Sequence, residues 1–399
     1  MTSQLHSDSP NSNEALPRWL VILLATSIGV IAANLYYAQP LVALISRSLG
    51  IAAESAGLVV TLTQLGYGLG VLCLVPLGDI VESRRLIVTM IGVALLGLLG
   101  LAYVTTPIPY FIAAFSTGVG SAGVQVIVPY AAHFASDSRR GQVIGAMTSG
   151  LMLGIMLSRP IASLLSDLIS WHAVFVLSAC MMLIIAVLLV ILLPPKKPAR
   201  NDLHYFSLLK SMLMLFVTKP LLRRRALYQA FLFGSFCFFW TATPLLLGGP
   251  AFKFSQSFIA IFALVGVSGA ISAPFAGKAA DRGWVRPATF IAIVISCLSF
   301  LMTHIFELGT KLSLITLILG AILLDAGITA NLVLGQRVIF ELGAEFRSRF
   351  NALYIATIFI GGGTGSMLGA WSYARGGWPF ASWVGMMMPI AALLFFFTE

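Results

Sequence analysis

The sequence predicts an all-α membrane protein, with twelve transmembrane helices in two pseudo-symmetric six-helix halves. Three observations carry that prediction. The 399 residues are 59% hydrophobic and 10% charged, with a mean hydropathy of +0.97, whereas a soluble domain carries about 25% charged residues. The apolar residues gather into twelve runs, each long enough to cross a bilayer as a helix of about 20 residues; they are solid rather than alternating, which excludes a β-barrel. A charged loop that ends one run at Asp79 has an echo at Asp281, 202 positions later and about half the chain away.

Residues 1–18 are polar, rich in Ser, Asn, Asp and Pro, and read as a short cytoplasmic tail. No basic n-region with a small-residue cleavage site precedes the first run, so span 1 (19–46) is expected to be retained. Span 2 (55–77) stops in "PLGDIVESRRLI", and span 3 (86–105) starts behind Arg84 and Arg85. Span 4 (108–134) contains the Gly-rich "FSTGVGSAG", span 5 (142–166) a glycine stripe and Arg159, and span 6 (172–193) ends at Pro194-Pro195. The basic central loop, 194–224, separates the halves; within it 206–217 has helical spacing suited to lying on a membrane surface. Spans 7 to 12 follow at 225–248, 256–276, 287–306, 311–336, 350–372 and 378–397. The domain reading is therefore a tail (1–18), a first half (19–193), a loop (194–224) and a second half (225–399). Pro40, Pro129, Pro160 and Pro244 are expected to kink their spans, neighbours meeting the freed carbonyls.

Of 24 Lys and Arg, 19 fall in Arg18 and in the loops and flanks after spans 2, 4, 6, 8 and 10; Arg47, Lys253, Lys311 and Arg375 fall on the other side. That asymmetry predicts both termini in the cytoplasm, and it accounts for the net charge of +10 without a nucleic-acid partner. The four cysteines, Cys73, Cys180, Cys237 and Cys297, lie inside apolar runs and read as packing residues. The Gly-rich stretch of span 4 lacks both a preceding strand and a Gly-Lys-Ser/Thr ending, so it is no nucleotide loop. No catalytic or metal-ligand constellation stands in a credible site, so neither an enzyme nor a cofactor or metal is expected.

The repeat extends beyond the loop. Pro40 pairs with Pro244, Asp79 with Asp281, Arg139 with Arg347, Trp171 with Trp378, and Gly150 and Gly154 with Gly361 and Gly365, in the same order and at offsets of 202 to 211. Two homologous halves place a substrate path at their interface, near the bilayer midplane.

On these features the chain resembles the major facilitator superfamily over essentially its whole length. The family's loop pattern is approximately G-x-x-x-D-R-x-G-R-R. The second copy keeps Gly277, Asp281, Arg282 and Arg286; the first keeps Asp79, Arg84 and Arg85, with Val75, Ile80, Glu82 and Ser83 at the other positions. "NLYYAQPL" in span 1 and "QLGYGLGVL" in span 2 are similar to the bacterial twelve-span drug–proton antiporters, although the "GPxxGG" usual in span 5 of that group is absent. The resemblance implies a secondary transporter of the bacterial inner membrane working by alternating access. It also implies that Asp79, at a helix C-terminus where the dipole disfavours an anion, latches onto the N-terminus of span 11 and favours the outward-open state. An ordinary solvated loop is the alternative.

Arg159 lies deep in a span, where an arginine costs about 2.5–3.5 kcal/mol on insertion scales unless it faces a cavity or a partner. It is expected to face the central path and bind an anionic group, against the alternatives of snorkelling or a fixed structural pair. Asp325 is the one acidic residue deep in a span; held between desolvation and a cation, such a group can take up and release a proton. Its alternative is a structural hydrogen bond to backbone, Thr329 or Asn331. Because Arg159 and Asp325 come from different halves, a contact between them could depend on conformational state. Asn34, Tyr36, Tyr37, Gln39, Gln125, Trp240, Thr241, Thr243 and Asn331 supply the few polar groups expected in a largely apolar site; for Tyr37 and Trp240 an interfacial aromatic belt competes. His133 and His172, near span ends, read as packing residues.

Gly150, Gly154 and Ser158 on span 5, and Gly361, Gly365 and Gly369 on span 11, recur every four residues. Small residues on one face let helices approach closely in lipid. They are expected to form sliding contacts between the halves, with static packing inside one half as the alternative. Together these features point to proton-coupled efflux of a small, partly apolar molecule by a monomer in the lipid bilayer. The alternatives are a proton-coupled importer of a small organic anion, or a non-transporting sensor, which usually needs an output domain or a long tail.

Overall fold

A computed structural model describes residues 17–136, 139–196, 204–343 and 346–398. The expected tail lies almost wholly outside the described residues, as do 197–203 of the central loop. Every regular element among the described residues is helical.

Span 1 is broken. Helix Arg18–Ala33 gives way to a turn, a 3-10 turn over Gln39–Leu41 and a second helix, Val42–Leu49. Pro40 cannot donate to the Tyr36 carbonyl, which instead accepts from the Gln39 N–H at 3.2 Å. The Leu35 carbonyl accepts from Gln64 Nε2 of span 2 at 3.3 Å. The proline thus interrupts the helix where protein, not lipid, meets the freed backbone.

Span 2 is Ala53–Asp79, span 3 Ser83–Tyr103, span 4 Pro107–His133, span 5 Arg140–Leu168 and span 6 Trp171–Leu192. The linker helix, Tyr205–Thr218, lies in the segment expected to be amphipathic. Span 7 is Pro220–Leu247, span 8 Gln256–Asp281, span 9 Val285–Met302 and span 10 Lys311–Glu341. Arg347–Phe396 is helical on either side of a break at Gly376 and Gly377, where Gly377 has φ 61°; the break reverses the chain and yields spans 11 and 12. Span 7 starts earlier than expected, because Pro220 at its first position is pre-set for a helix start and draws Arg223 and Arg224 out of the loop. Span 8 carries a 3-10 turn at Leu264–Val267, midway along it.

Within the first half, span 1 packs on 5, 2 on 4, 3 on 4 and 3 on 6; within the second, 7 packs on 11, 8 on 10, 9 on 10 and 9 on 12. The second list is the first shifted by six, which is the repeat seen in three dimensions. Large apolar side chains such as Leu96, Ile112, Leu183, Ile271 and Met387 stand exposed around the bundle, as lipid requires and water would penalise.

The glycine stripes correct an expectation. A Cβ on Gly150 would overlap the Ala25 carbonyl, and one on Gly154 the Gly29 carbonyl, both on span 1. On the other side Gly361, Gly365 and Gly369 meet the backbone of Ala230, Gly234 and Phe238 on span 7. Both stripes therefore bind helices inside one half; they are not sliding contacts between halves. Ser158 is buried and its hydroxyl donates to the Ile155 carbonyl at 2.7 Å. A close backbone approach between halves is made instead by spans 2 and 11. Gly57 meets the backbone of Ser366 and Met367, and Gly68 that of Ala356, while Thr61 Oγ1 donates to the Gly363 carbonyl at 2.8 Å.

The bundle has a linker face, carrying Asp79, Arg140, Pro220 and Asp281, and a far face. At the far face the outer part of span 8 packs on span 5, Ser257 hydrogen-bonds to Asp167, and Arg375 pairs with Glu54 at 3.5 Å. Toward the linker face span 8 leaves span 5, and Ser268–Asp281 packs on span 10. The halves are closed together at the far face; toward the linker face spans 5 and 8 part, while spans 2 and 4 stay bridged to span 11.

Candidate functional site

The central site is built where spans 1, 5, 7, 8 and 10 meet. The broken segment of span 1 presents Gln39, fully buried, whose Oε1 accepts from Arg159 Nε at 2.8 Å. Arg159 itself is 2% exposed. Its guanidinium carbon lies 5.2 Å from the Tyr36 ring, 4.9 Å from Phe236 and 4.4 Å from Trp240, a cage that partly replaces water around the charge. Two of those rings come from span 7, in the other half.

Asp325, 3% exposed, accepts from Trp240 Nε1 at 3.0 Å through Oδ1. It does not bond directly to Arg159. The two charges flank Gly266 in the 3-10 turn of span 8: a Cβ there would stand 3.2 Å from Arg159 Nη1, 3.2 Å from Asp325 Oδ2 and 3.3 Å from the Trp240 ring. Trp240 is thus the bridge, its ring against the cation and its N–H on the anion. Trp240 and Tyr37 are buried inside the bundle, not at a lipid interface. Asn331, one of the alternative structural partners of Asp325, is engaged elsewhere: its Nδ2 donates to Gln229 Oε1 at 2.7 Å.

Other expected site residues lie in separate clusters. Asn34 accepts from Ser178 at 2.5 Å within the first half. Thr241 donates to Ser366 at 3.2 Å. Gln125 donates to the Tyr67 hydroxyl at 2.9 Å and accepts from Asn351 Nδ2 at 3.2 Å, a polar bridge from spans 2 and 4 to span 11. Arg159 Nη2, Gln39 Nε2, Thr243 Oγ1 and Asn331 Oδ1 are buried with no partner among the described residues. Sequence reasoning missed Phe236, Gly266, Gln229, Tyr67 and Asn351. Phe236 and Gly266 are indistinguishable from packing residues in an apolar run, and Gln229 and Asn351 lie near run boundaries, where polarity is unremarkable. Two surface grooves, beside Leu96 and Ile112 and beside Phe231 and Leu394, lie on the apolar outer flanks away from this chemistry.

The loop motifs do different work. Arg84 donates to the Leu193 carbonyl at 3.1 Å and to that of Val190, capping span 6, where a cation suits the helix C-terminus. Arg85 makes a surface pair with Glu82 at 2.9 Å. Asp79 has Lys196 as its charged neighbour; burial pushes the Lys196 ammonium down and Asp79 opposes that shift. No hydrogen bond or ion pair joins Asp79 to the described start of span 11 in this conformation. In the second copy, Arg282 stacks on Trp284 at 5.8 Å and Arg286 on Phe396 at 5.9 Å; Asp281 is exposed, and the space beside Gly277 is open.

Residues 24–321 match the Major Facilitator Superfamily. The chain is 36% identical to an uncharacterized transporter, YgaY, of Escherichia coli O157:H7, over 96% of each chain. It is 28% identical to a probable transporter, SCO4007, of Streptomyces coelicolor, over 91% of this chain and 84% of that protein. Among solved structures it superposes on a mutant of the nucleoside transporter NupG with a TM-score of 0.75 at 14% identity, over 95% of this chain and 99% of the other. It superposes on a bacterial homologue of the lysosomal transporter Spinster with a TM-score of 0.73 at 14% identity, over 95% and 96%.

Proposed function

The chain belongs to the Major Facilitator Superfamily and is a multi-pass membrane transporter of that type, and from this premise we propose that it carries out proton-coupled efflux of a small, partly apolar molecule by alternating access. The observation that carries the reading is the Arg159–Trp240–Asp325 junction. A buried cation from one half and a buried anion from the other share one indole, so the contact depends on how the halves sit. A proton on Asp325 removes its charge, weakens its hold on the Trp240 N–H and its attraction to Arg159, and so changes the energy difference between closure at the far face and closure at the linker face. A ligand shifts such an equilibrium only by its differential affinity for the two states, and a proton at a half-to-half junction has one.

In this reading the linker face is cytoplasmic, which the Lys and Arg distribution supports, and the arrangement is inward-facing. The rings of Tyr36, Phe236 and Trp240 supply the apolar walls and Asp325 the proton site. The protein would sit in the inner membrane with both termini inside. Reconstitution into proteoliposomes tests this: outward movement of a substrate driven by inward proton flow is expected, and a pH gradient without effect on any transported compound sinks it. A second reading, a proton-coupled importer of an organic anion, draws on the free Arg159 Nη2; inward movement of solute together with protons would select it.

A further inference from the structure

Arg159 presents its donors on two edges. On one edge Nε is taken by Gln39 Oε1, and Nη2, the other prong of that fork, has no partner among the described residues. On the remaining side Nη1 faces Asp325 across Gly266. Because the Gln39 oxygen faces the guanidinium, the amide's Nε2 is its free end, and it too is buried without a partner. A buried donor left unpaired is costly, more so on a charged group. Two such donors on side chains bonded to each other, one of them charged, mark a place built for oxygen acceptors.

We infer that the substrate carries an acidic oxygen group, a carboxylate on a flat apolar body, whose oxygens are held by Arg159 Nη2 and Gln39 Nε2. The inference rests on the reading of this junction as the substrate site. A charged guanidinium N–H beside an amide N–H offers one donor to each oxygen of a carboxylate, and a charge-assisted hydrogen bond of that kind is the stronger sort. A neutral carbonyl would meet the geometry but leave the charge shared only with Asp325, and an amine would be repelled by Arg159. The flat apolar body follows from the walls: the Tyr36, Phe236 and Trp240 ring centroids lie within 5.2 Å of the guanidinium carbon, and aromatic rings pack best against a flat partner. Since the acid and Asp325 use different edges of the guanidinium, occupancy by substrate does not require Asp325 to leave.

The test compares three probes of one shape, 1-naphthoate, 1-naphthamide and 1-naphthylmethylamine, titrated by calorimetry against the full chain in detergent at neutral pH. The acid is expected to bind roughly tenfold or more tighter than the amide, about 1.4 kcal/mol, and the amine not to saturate. Q39E, which places a carboxylate of the protein's own on that edge, should abolish the preference for the acid with the melting temperature kept. R159K, which keeps the charge but loses the fork, should weaken the acid while leaving the amide little changed. Equal affinity for acid and amide, preference for the amine, or no saturable binding of the acid overturns the inference. Binding is read without a gradient, so acid-selective binding with no proton-driven flux would overturn the transport reading alone, and proton-driven flux with charge-blind binding would overturn this inference alone.

Discussion

Trp240 donates its indole N–H to Asp325 across 3.0 Å, from span 7 to span 10. The same ring lies 4.4 Å from the Arg159 guanidinium of the other half. One side chain therefore touches both the acid of its own half and the cation of the other.

Trp240→Phe keeps a ring beneath Arg159 and removes the donor to Asp325. A hydrogen bond to a charged group is worth about 1.5–3 kcal/mol. Proton-driven transport is expected to fall by about tenfold or more on that scale, with gradient-free substrate exchange retained. Equal losses in both assays would assign Trp240 to substrate binding alone.

Asp325→Asn keeps the acceptor for Trp240 and removes the proton site. Exchange of substrate across a membrane without a pH gradient should continue, while the response to an imposed gradient disappears. An unaltered response to the gradient would exclude Asp325 as the proton carrier.

Gly154→Ala and Gly365→Ala drive a methyl into the backbone of spans 1 and 7 respectively. Alanine gains about 1 kcal/mol of helix propensity, but overpacking costs roughly 1–3 kcal/mol, so both variants should melt lower in detergent. Gly145→Ala, facing open space, is the control and should melt no lower than the parent. Sliding faces between halves would show the reverse: transport altered and melting unchanged.

Gly57→Ala acts at the far face, between halves, where the added methyl meets Ser366. It should push the far face open. A cysteine placed at Glu54 is then expected to react faster with a membrane-impermeant thiol reagent added from the far side; an unchanged labelling rate would count against a moving contact there.

Asp79 is not on span 11 in this arrangement. If the two meet when the linker face closes, Asp79→Asn should lower transport with expression intact and leave affinity measured from the linker side unchanged. A variant with wild-type transport refutes the latch.

Much of the architecture was legible in the sequence because lipid enforces it. Backbone polar groups in hydrocarbon must pair within a helix, so each apolar run had one solution, and Pro194-Pro195 and the repeated loop divided the runs into halves. Boundaries drifted where polar residues continue a helix beyond the membrane, as at Arg223 and Arg224. Arg159 and Asp325 stood out as charges in apolar runs, and both lie at the central junction. Asn34 and Asn331 stood out equally, yet they pair inside their own halves with Ser178 and Gln229; a polar residue in a span announces a partner without naming it.

The sequence by itself determined the twelve crossings, the two halves and the presence of one deep acid and one deep base, since these follow from the cost of burying charge and unpaired backbone in lipid. Only the tertiary structure decided which faces meet. Glycine spacing marks a close approach but carries no label for the helix approached, so the stripes of spans 5 and 11 fell within the halves and the contact between halves fell to Gly57, Gly68 and Gly363. Likewise only packing brought Trp240, an apolar-run aromatic, between Arg159 and Asp325, because a contact across 81 and 85 positions of chain is set by helix placement and by nothing local.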